Sequence, residues 1–164
     1  GSEFVVQLPT VDPPATTIGE PRRDAPAGES AYPRHRILVV DDLRAPADTL
    51  VKVLECLGQE AFQAYDGPSA IEAAHALHPD LILLDIAMPA LDGYEVARRL
   101  RASPDLEGTT LVALTGYGQP DDKRQAAAAG FDLLLTKPAD LRSLRELLAA
   151  GPARRRSAGP LVSS

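Results

Sequence analysis

Five short apolar runs punctuate the chain, each followed by a stretch with helical spacing of apolar positions. Ile37-Leu38-Val39-Val40 and Leu81-Ile82-Leu83-Leu84 are continuous runs that suit strands buried on both faces. Residues 61–65 form a more mixed strand, Thr110 to Thr115 a fourth, and Asp132 to Thr136 a fifth. Between them, Leu50, Val51, Leu54 and Leu57 predict a helix beginning near Pro46 and stopped by Gly58. Asp66-Gly67-Pro68-Ser69 opens a second helix carrying Ala70, Ile71, Ala74 and Leu77, which Pro79 closes. Tyr94, Val96, Ala97 and Leu100 mark a third helix, Asp121 to Ala129 an alanine-rich fourth ended by Gly130, and Leu141, Leu144, Leu147 and Leu148 a fifth.

Strand and helix thus alternate five times with short connections, which predicts an α/β fold with a parallel sheet covered by helices on both faces. In such sheets functional groups gather at the carboxyl ends of the strands. Four of the five expected strands end in a reactive or polar side chain: Asp41 and Asp42, Asp85, Thr115, and Lys137. Whole strand–helix units separate them, so all five can converge on one rim.

Composition narrows the setting. The 164 residues allow one domain of ordinary size plus tails. Apolar residues make up 45% and aromatic ones 4%, so aliphatic side chains must fill the core. No apolar run approaches the ~20 residues that span a bilayer, and no signal peptide opens the chain. A net charge of −6 argues against a nucleic-acid surface. Residues 9–35 read as a flexible linker and 151–164 as a disordered tail, with Arg154 to Arg156 as a solvated basic run. The single cysteine, Cys56, excludes an intrachain disulfide and reads as a small buried hydrophobe in a reducing compartment. His75 and His78 fall late in the second helix and His35 in the linker, positions expected at the surface. Asp121, Asp122 and Asp140 begin helices, where a carboxylate favours the dipole.

Three neighbouring carboxylates repel one another, and a hard divalent cation relieves that repulsion. Magnesium takes oxygen ligands, keeps several waters, and commonly uses one or two carboxylates plus a phosphate oxygen. Asp41, Asp42 and Asp85 supply such a set, with a carbonyl just beyond Asp85 as an extra ligand. Lys137 adds a cation across the site and Thr115 a hydroxyl donor, both suited to the charge spread over the oxygens of a phosphoryl group in transfer. The nucleophile in this arrangement is a carboxylate oxygen of Asp85, forming an acyl phosphate.

Over residues 35 to 150 the chain resembles the receiver domains of two-component signalling. The resemblance rests on Ile37-Leu38-Val39-Val40-Asp41-Asp42, Leu83-Leu84-Asp85-Ile86-Ala87-Met88-Pro89 with Asp92-Gly93, Ala113-Leu114-Thr115-Gly116, and Lys137-Pro138, in that order and spacing. It implies a flavodoxin-like (βα)5 doubly wound sheet of order 2-1-3-4-5 over residues 36–150. It also implies Asp85 as phosphoacceptor and Mg2+ held by Asp41, Asp42, Asp85 and the Ala87 carbonyl. Thr115 and Lys137 would contact the phosphoryl oxygens, and the Lys137–Pro138 peptide would be cis. Two positions depart from the family pattern. Leu43 stands where many members carry Asn, and Leu134 where they carry the aromatic or His that swings inward on phosphorylation. With Leu134 there, the signal is expected to be transmitted differently or through a smaller conformational change.

The same resemblance bears on context. Gly-Ser-Glu-Phe at the start has two readings, a restriction-site scar or the closing strand of a histidine-kinase ATP-binding domain over residues 1–8. Val5, Val6, Leu8 and Pro9 favour the latter, since a scar would not explain them. The implied parent is a hybrid sensor histidine kinase, soluble or membrane-attached, with this receiver in the cytoplasm and its partners a kinase core in cis and a histidine phosphotransfer protein. The tail is too short for an output domain. The receiver would catalyse its own phosphorylation and dephosphorylation, with the ATP-binding core upstream. The alternatives are a stand-alone response regulator and a degenerate receiver acting only as a binding module, although no acidic residue, acceptor or lysine is missing. A haloacid-dehalogenase-type phosphatase wants a second Asp where Ala87 stands. A flavodoxin wants a Ser/Thr-rich loop where Asp42-Leu43-Arg44 stands. Tyr117 either lines the site mouth or is an exposed loop residue, and the run Ala126 to Ala129 either packs a helix or offers an interaction face.

Overall fold

The structure is a computed structural model in which residues 31–89, 92–116 and 120–152 are described. Residues 1–30, Tyr117 and Arg154 to Arg156 lie outside them, so the expectations for the upstream strand, most of the linker, the loop tyrosine and the basic run are not addressed by it. Five strands, β1 (Arg36–Val40), β2 (Glu60–Ala64), β3 (Leu81–Asp85), β4 (Thr110–Thr115) and β5 (Leu133–Thr136), alternate with α1 (Arg44–Cys56), α2 (Gly67–Leu77), α3 (Gly93–Arg101), α4 (Pro120–Ala129) and α5 (Leu141–Ala150). All strand pairs are parallel, in the order β2-β1-β3-β4-β5. The fold is the expected one. A short 3-10 turn at Pro104–Leu106 was not foreseen.

The period of two along each central strand divides the core between the faces of the sheet. Leu38, Val40, Ile82, Leu84, Leu111 and Ala113 join Ala70 and Ala74 of α2, Val96, Ala97 and Leu100 of α3, and Ala126 and Ala129 of α4. Ile37, Val39, Leu81, Leu83, Val112 and Leu114 join Ala47, Val51 and Leu54 of α1 with Leu144, Leu147 and Leu148 of α5. Both residues of a neighbouring pair are therefore buried, which is why β1, β3 and β4 read as unbroken apolar runs. Ala126 and Ala129 pack in the core, as the helix-packing reading of that run requires.

Two expectations are corrected. Cys56 is exposed. It lies two residues beyond the buried Leu54, about 200° further round the helix, so the face that buries Leu54 turns Cys56 to solvent. His35 is largely buried, its side chain 12% exposed. Its backbone N–H donates to the Gln59 side chain at 2.9 Å and its carbonyl accepts from Glu60 N, which seats the end of the expected linker against β2. His75 and His78 are at the surface at the end of α2, facing Asp105.

Candidate phosphoacceptor site

The ends of β1, β3, β4 and β5 lie side by side, and each brings one piece of the site. Asp85 is the last residue of β3 and pairs with Leu114, so Thr115 stands one step beyond it on the neighbouring strand. Thr115 pairs with Thr136, and its carbonyl accepts from Lys137 N at 2.7 Å, fixing where the lysine leaves the sheet. Asp41 follows β1 directly, with its N–H on the Ala64 carbonyl. The peptide between Lys137 and Pro138 is cis.

Asp41 and Asp85 are 2% and 4% exposed. Each carboxylate gives one oxygen to its own chain two residues on: Leu43 N donates to Asp41 Oδ1 and Ala87 N to Asp85 Oδ1, both at 2.9 Å. The second oxygens converge on Lys137, whose Nζ lies 2.8 Å from Asp41 Oδ2 and 3.0 Å from Asp85 Oδ2. Burial opposes the charge on Lys137, but its hydrogen bonds to Asp41 and Asp85 and their negative charges prevail and raise its pKa. The lysine expected across the site is thus in direct contact with two of its acids.

Asp42 completes the cluster. Asp41, Asp42 and Asp85 each place a carboxylate oxygen within 4.8 Å of the others, the only such group of potential metal ligands among the described residues. The three carboxylates and the one ammonium sum to a formal charge of −2, and the carboxylates, two buried and one half-buried, offer oxygen ligands only. That donor set fits a hard divalent cation. Ala87 is exposed at the rim beside Asp85.

Thr115 is 2% exposed and its hydroxyl donates to Asp122 Oδ2 of α4 at 3.4 Å, so it is drawn toward α4. Asp122 also acts on α3: burial first, then the charges of Asp122 and Asp92, raise the Tyr94 phenol. Asp122 is thus more than a helix-start carboxylate. The paired acids at 121 and 122 were visible, but their reach toward Thr115 was not.

Gly93 is a second residue whose part the sequence concealed. A Cβ there would lie 2.4 Å from the Asp85 carbonyl oxygen and 2.6 Å from Ile86 Cα. Only glycine lets the start of α3 press against the backbone that carries Asp85. Its neighbour Asp92 caps the helix, accepting from Glu95 N at 2.8 Å. Leu43 provides no side-chain cap for α1, and Leu134 is partly buried against the α2–α3–α4 side of the core.

An alternating (βα)5 sheet with acids at the ends of β1 and β3, a hydroxyl at the end of β4 and a lysine just past β5 is the architecture of a signalling receiver. The chain belongs to the response regulator receiver domain family, whose model matches residues 37–149. It is 39% identical over 109 residues to the DNA-binding dual master transcriptional regulator RpaA of Synechocystis sp., an overlap of 66% of this chain and 45% of that protein. Its fold matches the Vibrio cholerae chemotaxis protein CheY4 with a TM-score of 0.69 and 27% identity, covering 73% of this chain and 99% of that one. It likewise matches the receiver domain of Ssk1, crystallised with the histidine phosphotransfer protein Ypd1 of Saccharomyces cerevisiae. The TM-score there is 0.68 and the identity 26%, with 74% and 90% of the chains covered. The chain spans less than half the length of the first curated relatives it matches. No helix among the described residues is long and apolar enough to cross a membrane.

Proposed function

We propose that this receiver domain accepts a phosphoryl group on Asp85 from a phosphohistidine. The observation that carries the reading is the ammonium of Lys137 held 2.8 and 3.0 Å from the buried carboxylates of Asp41 and Asp85. A carboxylate oxygen of Asp85 bonds to phosphorus as the P–N bond breaks; the nitrogen keeps the electron pair and is protonated as imidazole leaves. Water later attacks phosphorus, releasing inorganic phosphate and restoring the Asp85 carboxylate.

Asp41, Asp42 and Asp85, with the Ala87 carbonyl, would hold Mg2+, which when bound neutralises charge on the phosphoryl oxygens. Lys137 transfers one of its contacts from a carboxylate to a phosphoryl oxygen, and the Thr115 hydroxyl donates to another. Both act by position and charge.

The upstream context belongs to the same proposal. The resemblance of residues 1–8 to a kinase closing strand supports a hybrid sensor histidine kinase with this receiver in the cytoplasm. The donor is then a kinase core in cis, and a histidine phosphotransfer protein is a second partner, as Ypd1 is in the Ssk1 co-crystal. The coding sequence before Gly1 decides this part: a glycine-rich ATP lid supports it, and an affinity tag removes its support.

Phosphoramidate with Mg2+ should add one hydroxylamine-labile phosphate to the wild-type chain and none to Asp85→Asn, read by intact mass. Labelling retained in Asp85→Asn would place the acceptor elsewhere.

A further inference from the structure

We infer that Asp122 is a positioning residue for Thr115, an acceptor in the resting domain that competes with the phosphoryl group for the Thr115 hydroxyl. The inference rests on the proposed phosphoacceptor role of Asp85 and deepens it. Thr115 is buried at the end of β4, one step from the residue paired with Asp85, yet its hydroxyl donates to Asp122 Oδ2 at 3.4 Å. A hydroxyl has one proton to donate. To serve a phosphoryl oxygen on Asp85 it must leave Asp122, so the strength of the Thr115–Asp122 contact is subtracted from the affinity for the phosphorylated form.

The surroundings make that exchange consequential. Asp122 lies in the first turn of α4, and its charge contributes to raising the Tyr94 phenol of α3. Tyr94 stands edge-on to Phe131 with ring centroids 6.3 Å apart. Releasing Thr115 therefore changes what Asp122 faces between α3 and α4. This side of the molecule also holds Leu134, a residue with no polar tip that could answer a movement of Thr115. Asp122 supplies a polar partner there.

The contact is long and Asp122 is partly exposed, so its removal should strengthen binding of a phosphoryl analogue by about threefold to tenfold. Beryllofluoride with Mg2+ is the probe, titrated against the full chain by calorimetry. Asp122→Ala should bind it more tightly in the wild-type background and unchanged in the Thr115→Ala background. Asp121→Ala removes a neighbouring charge from the same turn and should leave affinity unchanged. Asp122→Asn, which keeps an acceptor oxygen, should fall between. Equal tightening with and without Thr115, or the same gain from Asp121→Ala, would mean a general charge effect and overturn the inference. A loss of affinity in both backgrounds would mean a structural role and also overturn it. If the wild-type chain binds beryllofluoride but Asp85→Asn accepts phosphate from phosphoramidate, the failure lies in the Asp85 reading instead.

Discussion

Lys137 sets one positive charge against two nearly buried carboxylates, so its removal acts on stability and on cation binding in opposite directions. Breaking a buried ion pair by deleting one partner typically costs about 3–5 kcal/mol, because the other charge is stranded. Lys137 is 29% exposed and solvent screens part of that loss, so about 1–3 kcal/mol is the expectation for Lys137→Met in chelator-treated buffer. With the ammonium gone, Asp41, Asp42 and Asp85 carry an uncompensated formal charge of −3. Magnesium should then bind more tightly than in wild type and restore much of the lost stability. Urea titrations with and without Mg2+ check this, and a variant whose stability ignores the cation would contradict the shared site. Phosphoryl transfer itself should fall, since Lys137 is one of the groups proposed to face the transferred oxygens.

At the scale of elements, the helix starts differ in what anchors them. Asp66 and Asp140 accept from Ser69 N and Ser143 N at 2.7 Å, and these backbone hydrogen bonds, with the serine side chains, lower the pKa of both caps. A cap lowered below its ordinary value of 3.8 stabilises the fold above that pH and loses its contribution as pH falls through the lower native value. Asp66→Ala should therefore cost on the order of 1 kcal/mol near neutral pH, with the penalty fading in urea titrations taken below about pH 4. The start of α3 has a stricter requirement. Gly93→Ala would drive a methyl into the Asp85 and Ile86 backbone, so α3 must shift; a loss of roughly 3 kcal/mol or more and slow phosphorylation by phosphoramidate are expected. Gly108→Ala meets nothing within 4 Å and should leave both unchanged, which makes it the matched control. The elements themselves were legible because β1, β3 and β4 are buried on both faces and the helices keep one apolar side. The 3-10 turn at Pro104–Leu106, the exposure of Cys56 and the burial of His35 were not. Each depends on where a neighbouring segment sits, which periodicity along one segment does not record. For the same reason the motifs could name Gly93 and the acids of α4 without revealing what they touch.

For the whole molecule, the two edges of the sheet carry different burdens. The carboxyl edge collects three acids against the single ammonium of Lys137, an imbalance of like charge that costs stability. The opposite edge is fastened by Arg101 at the end of α3. Its Nε donates to the Gly130 carbonyl at 2.8 Å and its guanidinium to the Thr109 carbonyl at 2.7 Å, and it pairs with Asp132, both side chains being mostly buried. Asp132 Oδ2 accepts from Leu111 N at 2.9 Å as well, so one cation ties α3, the start of β4 and the turn between α4 and β5. Arg101→Met should lower stability by about 3 kcal/mol, since it strands a carboxylate and leaves carbonyls short of a donor. Labelling of Asp85 by phosphoramidate at low temperature should persist in the folded fraction, because the proposed acceptor lies at the far end of the strands. Adding Asp132→Asn to that variant removes the stranded charge while keeping a hydrogen-bond acceptor, and should recover part of the loss. If the double substitution is no more stable than Arg101→Met, the cost resides in the carbonyls and packing. If labelling disappears while the fold is retained, the two edges are coupled and the division of labour drawn between them is wrong.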